Sequence, residues 1–200
     1  MLILGLDPSQ NTGWALYDTT EPKLGHIRAG VLKVKGTAGE FEENAGLLGR
    51  LLVDLIKDIG RPDFAVLERA PRQPYGAHKP KGGTIKFMGE DIAAQDGDTA
   101  GGNGLQSTLS TNQMAAALSS VLGAFKIPFD TMTDSDWRKR SYGFGRNKGW
   151  KRADWKRHAR QTCAMHKINV TNDDMAEACW IAYAGASLQV FKDLERKSAA

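Results

Sequence analysis

Four carboxylates stand where acids are costly unless something cationic meets them. Asp7 closes the apolar run of "LGLDPSQNTGWAL", and Glu68 closes that of "AVLERAP". Asp174 and Glu177 lie three apart in "TNDDMAEACWIAYAGASL", within about 60° of each other around a helix. From 175 to 186 this segment is apolar or small nearly all round, the mark of a buried helix, and the two acids share a stripe with Ile181, Gly185 and Leu188. Carboxylates heading a buried stripe need a counter-charge. Hard oxygen donors without a neighbouring histidine suit Mg²⁺ or Mn²⁺ rather than zinc, and four of them can hold two divalent ions. Each acid alone has a plainer reading. Asp7 and Glu68 pass as turn residues, and Asp174 as a first-turn acid of a helix capped by Asn172 or Asp173.

The four matter together only if the fold gathers them. Residues 2–7 read as a buried strand, with 13–18 and 26–34 as two more in an antiparallel meander. Helical spacing runs over 40–59 and stops at Gly60, and "FAVLE" (64–68) is a further short strand. A helical crossover should set that strand parallel to the first, with Asp7 and Glu68 at adjacent carboxyl ends. The stretch 71–110 is rich in Gly, Pro, Lys, Gln and Ser and reads as a long functional loop. A helix is expected from Thr111 as N-cap, a strand within "KIPFDTM", a basic helix at 150–166 and a last helix at 173–195. The 200 residues suit one domain, 1–200, carrying the loop as an elaboration.

Charge is unevenly spread. The segment 137–160 holds ten Lys or Arg and one acid, Asp154, for a net +9; the chain totals +4, so the remainder carries −5. Such a block is the footprint of a polyanion binder, or else a solvated helix face. Trp137, Tyr142, Phe144, Trp150 and Trp155 interleave with it, to stack on bases or to pack on the protein's own core. Cys163 and Cys179 lack metal-ligand spacing, which suggests a reduced cytoplasmic protein. His26, His78, His158 and His166 are scattered, and only His158 falls in the basic block. No apolar run reaches membrane-spanning length, and no Walker-type sequence suggests a nucleotide cofactor.

In this order and at these separations, "LGLDPSQNTGWAL", "AVLERAP" and "DDMAEACWIAYA" resemble the motifs of the RuvC family of Holliday-junction resolvases. The resemblance implies an α/β, ribonuclease H-like fold with a mixed five-stranded sheet flanked by helices. It also implies a metal-dependent homodimer of bacterial or bacteriophage origin. It gives Asp7, Glu68, Asp174 and Glu177 the catalytic and metal-binding roles, with Glu177 standing where the family usually has Asp. Two Mg²⁺ ions per site, replaceable by Mn²⁺, would then hydrolyse phosphodiesters, with Asp7 bridging them. Glu68 would complete one coordination sphere, and Asp174 with Glu177 the other. The implied activity is a pair of symmetry-related nicks in four-way DNA, leaving 5′-phosphates. The segment "WRKRSYGFGRNKGWK" is similar to the family's basic stretch around Gly-x-Gly. It assigns Arg138 and Lys148 or Lys151 to the scissile phosphate, with Lys139, Arg140, Arg146 and Arg152 as further DNA contacts. The family places an aromatic wedge in the loop corresponding to 71–110, which is longer and more Gly-rich here; Tyr75 and Phe87 are the candidates. Alternatives are a nuclease of the same fold acting on flaps or other branched DNA, and a protein that binds junctions without cutting.

Overall fold

A computed structural model describes residues 1–34, 41–70, 84–87, 90–93 and 102–198, with side chains described outside 84–93 and 102–106. β1 (Leu2–Asp7), β2 (Asn11–Asp18) and β3 (Arg28–Lys33) form an antiparallel meander, with a 3-10 turn at Leu24–His26 before β3. α1 (Phe41–Ile59) carries the chain back, so that β4 (Phe64–Glu68) lies parallel to β1. A small antiparallel hairpin follows, β5 (Thr84–Phe87) with β6 (Glu90–Ala93). α2 (Gly102–Ala124) then crosses to β7 (Phe129–Met132), parallel to β4. α3 (Asp134–Tyr142), α4 (Arg152–Met165), α5 (Asp173–Gly185) and α6 (Gln189–Ser198) complete the chain. The main sheet runs β3-β2-β1-β4-β7, the mixed five-stranded sheet expected from the sequence.

The two-residue period of the strands decides which side chains meet which helices. Leu4, Leu6, Ala65 and Leu67 pack with Leu48 and Leu52 of α1 and with Met114, Leu118 and Leu122 of α2. Ile3, Phe64 and Val66 point the other way, onto Ala178, Ile181 and Ala182 of α5 and Phe191 of α6. Carried on along each strand, through Gly5 to Asp7 and from Val66 to Glu68, the same alternation sends both acids to the α5 face. The crossover itself is held by Leu48, Leu52, Leu55 and Ile56 along one stripe of α1, each worth roughly 1.5–3 kcal/mol when fully buried.

Two glycines let α5 lie close on the sheet. A Cβ on Gly5 would sit 2.5 Å from the backbone of Ala178 and Ala182. At Gly13 it would sit 2.0 Å from the carbonyl oxygen of Asp174. Gly13 pairs with Asp7 across β1 and β2, so the head of α5 rests directly beside the end of β1.

Three elements differ from expectation. The stretch 71–110 carries a hairpin and the first turns of α2, which begins at Gly102 rather than at Thr111. Thr111 lies inside that helix, its hydroxyl donating to Ser107 O at 2.9 Å. The early turns bury Thr108 and Ser110 and expose Leu109, so they have no apolar stripe to read. α3 was not anticipated because Trp137 alone among its residues is buried. Its caps were nonetheless present: Thr133 accepts from Asp136 N–H, and Gly143 closes the helix with φ 84°. The last helix is broken after Gly185, where the Ser187 hydroxyl turns back to donate to Ala184 O at 2.7 Å.

Candidate metal centre

Asp7 and Glu68 end neighbouring parallel strands, one residue beyond the pair Leu6 and Leu67. α5 starts at the same edge. Asn172 caps it, its side-chain oxygen accepting from Met175 N–H at 2.9 Å, and this sets Asp174 and Glu177 over the strand ends. Oxygens of Asp7, Asp174 and Glu177 lie within 4.8 Å of one another. Asp7, Glu68 and Asp174 line a cleft of about 470 Å³, with Ser110, Thr111 and Arg152 on its walls. Glu68 is fixed from beneath: the indole N–H of Trp137 donates to its Oε2 at 2.7 Å.

Burial, with repulsion from neighbouring acids, raises the proton affinity of Asp7, Glu68 and Glu177. Burial pushes Asp7 well above the usual carboxylate range, and the charges of Glu68, Glu177 and Asp174 push it further, with Lys156 pulling back. Burial takes Glu68 up to about 7 against the hydrogen bond from Trp137, with Glu177 and Asp134 adding to the rise and Arg138 opposing it. Glu177 is raised by burial, against the pull of Lys156, Arg138 and Arg152. A set of hard oxygens this crowded could hold a divalent cation. With metal–oxygen distances of about 2.1 Å, one ion can span ligands about 4.2 Å apart, and oxygens within 4.8 Å of one another are of the right separation to hold one.

The basic residues divide by position. Arg138 is only 13% exposed, its guanidinium between the rings of Trp137 (5.1 Å) and Trp155 (4.6 Å). It bonds Asp134 at 2.8 Å and faces Glu177 at 3.9 Å. Arg140 is tied to Ser187 Oγ at 2.8 Å, joining α3 to the turn before α6. Lys139, Arg146, Lys148, Lys151 and Arg152 are exposed, and among them Arg152 lines the cleft. Tyr75 lies outside the described residues, as does the side chain of Phe87. The interleaved rings pack on each other: Tyr142 against His158 at 4.6 Å, Trp150 against Trp155 at 4.7 Å and Phe144 against Trp155 at 5.7 Å. The pile reaches α5, where Tyr142 meets Trp180 at 5.5 Å and Trp180 donates its N–H to Ala159 O at 3.1 Å.

Two side chains that contact the acids escaped the sequence reading. Trp137 was counted as an aromatic of the basic block, not as the partner of Glu68. Lys156 was one basic residue among ten, yet its ammonium lies 3.2 Å from Asp174. Its place four residues after Arg152, on the face of a helix flanking the acids, was the available signal.

No family model matches the chain, and no curated protein matches it in sequence. Solved structures do match in fold. Thermus thermophilus RuvC is 14% identical with a TM-score of 0.57, the match covering 100% of this chain and 97% of that one. T. thermophilus RuvC in complex with a Holliday junction substrate is 12% identical with a TM-score of 0.58, over 93% and 92%. The yeast mitochondrial Holliday junction resolvase Ydc2 is 14% identical with a TM-score of 0.51, over 98% and 83%. With its strand order, its flanking helices and these likenesses taken together, the chain has the ribonuclease H-like α/β fold of RuvC.

Proposed function

We propose that the chain is a metal-dependent endonuclease that resolves four-way DNA junctions, acting as a homodimer. The observation that carries the reading is the convergence of Asp7, Asp174 and Glu177 within 4.8 Å, beside Glu68, at the carboxyl edge of the parallel strands. Asp7, Glu68, Asp174 and Glu177 would hold Mg²⁺, with Mn²⁺ as a substitute. Ions bound there supply a water of lowered pKa and neutralise charge on the departing oxygen. The chain's own side chains do the remainder. Trp137 holds the Glu68 carboxylate in one orientation, and Arg138 faces Glu177 at 3.9 Å. Arg152 at the cleft wall, with Lys148, Lys151 and Arg146 beyond it, gives phosphates a cationic path that carries no sequence information. Paired nicks need two active sites related by a twofold axis, hence the homodimer.

The test is incubation of the purified protein with labelled four-way, three-way and flap substrates, with and without Mg²⁺. Symmetric nicks in the four-way junction, strictly dependent on the ion, support the reading. Faster cutting of flaps would make the protein a general branched-DNA nuclease, and junction binding without turnover a non-cutting recognition protein.

A further inference from the structure

α4 packs along α5 and delivers one ammonium to three acids. Lys156 Nζ lies 3.2 Å from Asp174, 3.8 Å from Glu177 and 3.9 Å from Asp173. The side chain is 20% exposed, so its head is turned inward to the cluster rather than out to water. Asp174 and Glu177 are also two of the three acids that converge with Asp7. The ammonium and a divalent ion therefore draw on the same two carboxylates and repel each other there.

We propose that Lys156 is the resident counter-ion of the metal-free cluster, evicted when a divalent cation takes Asp174 and Glu177, and thereby freed to contact a substrate phosphate. The inference rests on the metal-site reading above. Carboxylates favour a divalent ion over a single ammonium, and the four-carbon lysine stem is flexible enough to yield. Arg152, one turn earlier on α4, already lines the cleft, so the released ammonium joins it on one helix face. Metal and DNA then bind cooperatively: the ion that occupies the acids also adds a positive charge to the path of the strand.

Amine acetylation of the full chain, read by mass spectrometry, reports the state of Lys156. Exposed Lys192 serves as the reference. Relative to Lys192, labelling of Lys156 should rise about tenfold on moving from EDTA to saturating Mn²⁺ or Mg²⁺. Calorimetric titration should show Lys156→Met binding Mn²⁺ about tenfold more tightly than the native chain, with Lys192→Met unchanged. Metal binding that leaves the labelling of Lys156 unaltered would overturn the inference while the metal site stands. Absence of binding by either ion would overturn the metal site and the inference together.

Discussion

Trp137 donates its indole N–H to Glu68 at 2.7 Å, from a ring that is itself 1% exposed. A carboxylate at the mouth of a cleft is thereby anchored to the core. The next residue, Arg138, faces Glu177 at 3.9 Å. One turn of α3 therefore steadies acids that arrive from β4 and from α5.

Trp137→Phe removes the N–H while keeping an aromatic ring. The lost hydrogen bond had held the Glu68 pKa down against burial, so it should move above its present value of about 7. At limiting Mg²⁺, where proton and ion compete for the Glu68 carboxylate, cleavage at pH 7 should fall about tenfold and recover in large part near pH 8.5. A rate–pH profile measures this; equal loss at every pH would instead indicate a packing defect.

Metal-free stability should depend on pH in an unusual direction. Glu68 titrates at about 7 in the folded chain against 4.5 when free, and Asp7 and Glu177 move the same way. Above 4.5 the folded state therefore holds more protons than the unfolded one. The protons' contribution is complete below 4.5 and is lost as pH rises through about 7. Asp18 and Asp136, shifted downward, act only at lower pH. In EDTA, Tm should drop by several degrees from pH 5.5 to pH 8, at about 2–4 °C per kcal/mol. Mg²⁺ should restore it at pH 8.

Asp7→Asn removes one member of the mutually repelling set. Nicking should disappear while junction binding persists, and Tm in EDTA at pH 8 should rise by about 2–5 °C. Thermal scans and gel-shift assays on one preparation measure both. A fall in Tm would assign Asp7 a folding role instead.

Gly13→Ala forces a methyl to within 2.0 Å of the Asp174 carbonyl. Backbone cannot yield as a side-chain tip can, so the head of α5 must shift. The cost should be about 2–4 kcal/mol in chemical denaturation, and metal affinity should fall with it. Gly60→Ala, where a Cβ meets nothing within 4 Å but φ is +86°, serves as a strain-only comparison.

Salt dependence separates the basic residues. Lys148→Ala and Arg152→Ala should each flatten the log–log salt slope of junction binding by about 1, the signature of a lost phosphate contact. Arg138→Ala should leave the slope nearly intact and lower stability, because its guanidinium is committed to Asp134, Glu177 and two indole rings. Fluorescence anisotropy across a salt series measures the slopes.

The acids were legible because strand alternation is rigid. Once Ile3 and Val66 face a helix, Asp7 and Glu68 must end on that same side. The crossover helix was legible from Leu48, Leu52 and Leu55 for the same periodic reason. The start of α2 was not, since Thr108 and Ser110 face inward while Leu109 faces out. Nor was the task of Trp137, because the direction of an indole N–H depends on how α3 lies against β4. Lys156 was invisible in another way: composition counts its charge but does not say that three carboxylates share it.

The aromatic pile between α3, α4 and α5 has a mechanical consequence. With Tyr142 wedged against both His158 and Trp180, and Trp180 bonded to the backbone of Ala159, the cationic and the acidic helix behave as the two jaws of a caliper already locked at its setting. A docking strand would then find the spacing between grip and cut fixed beforehand, so the entropy of alignment is spent during folding rather than in each turnover.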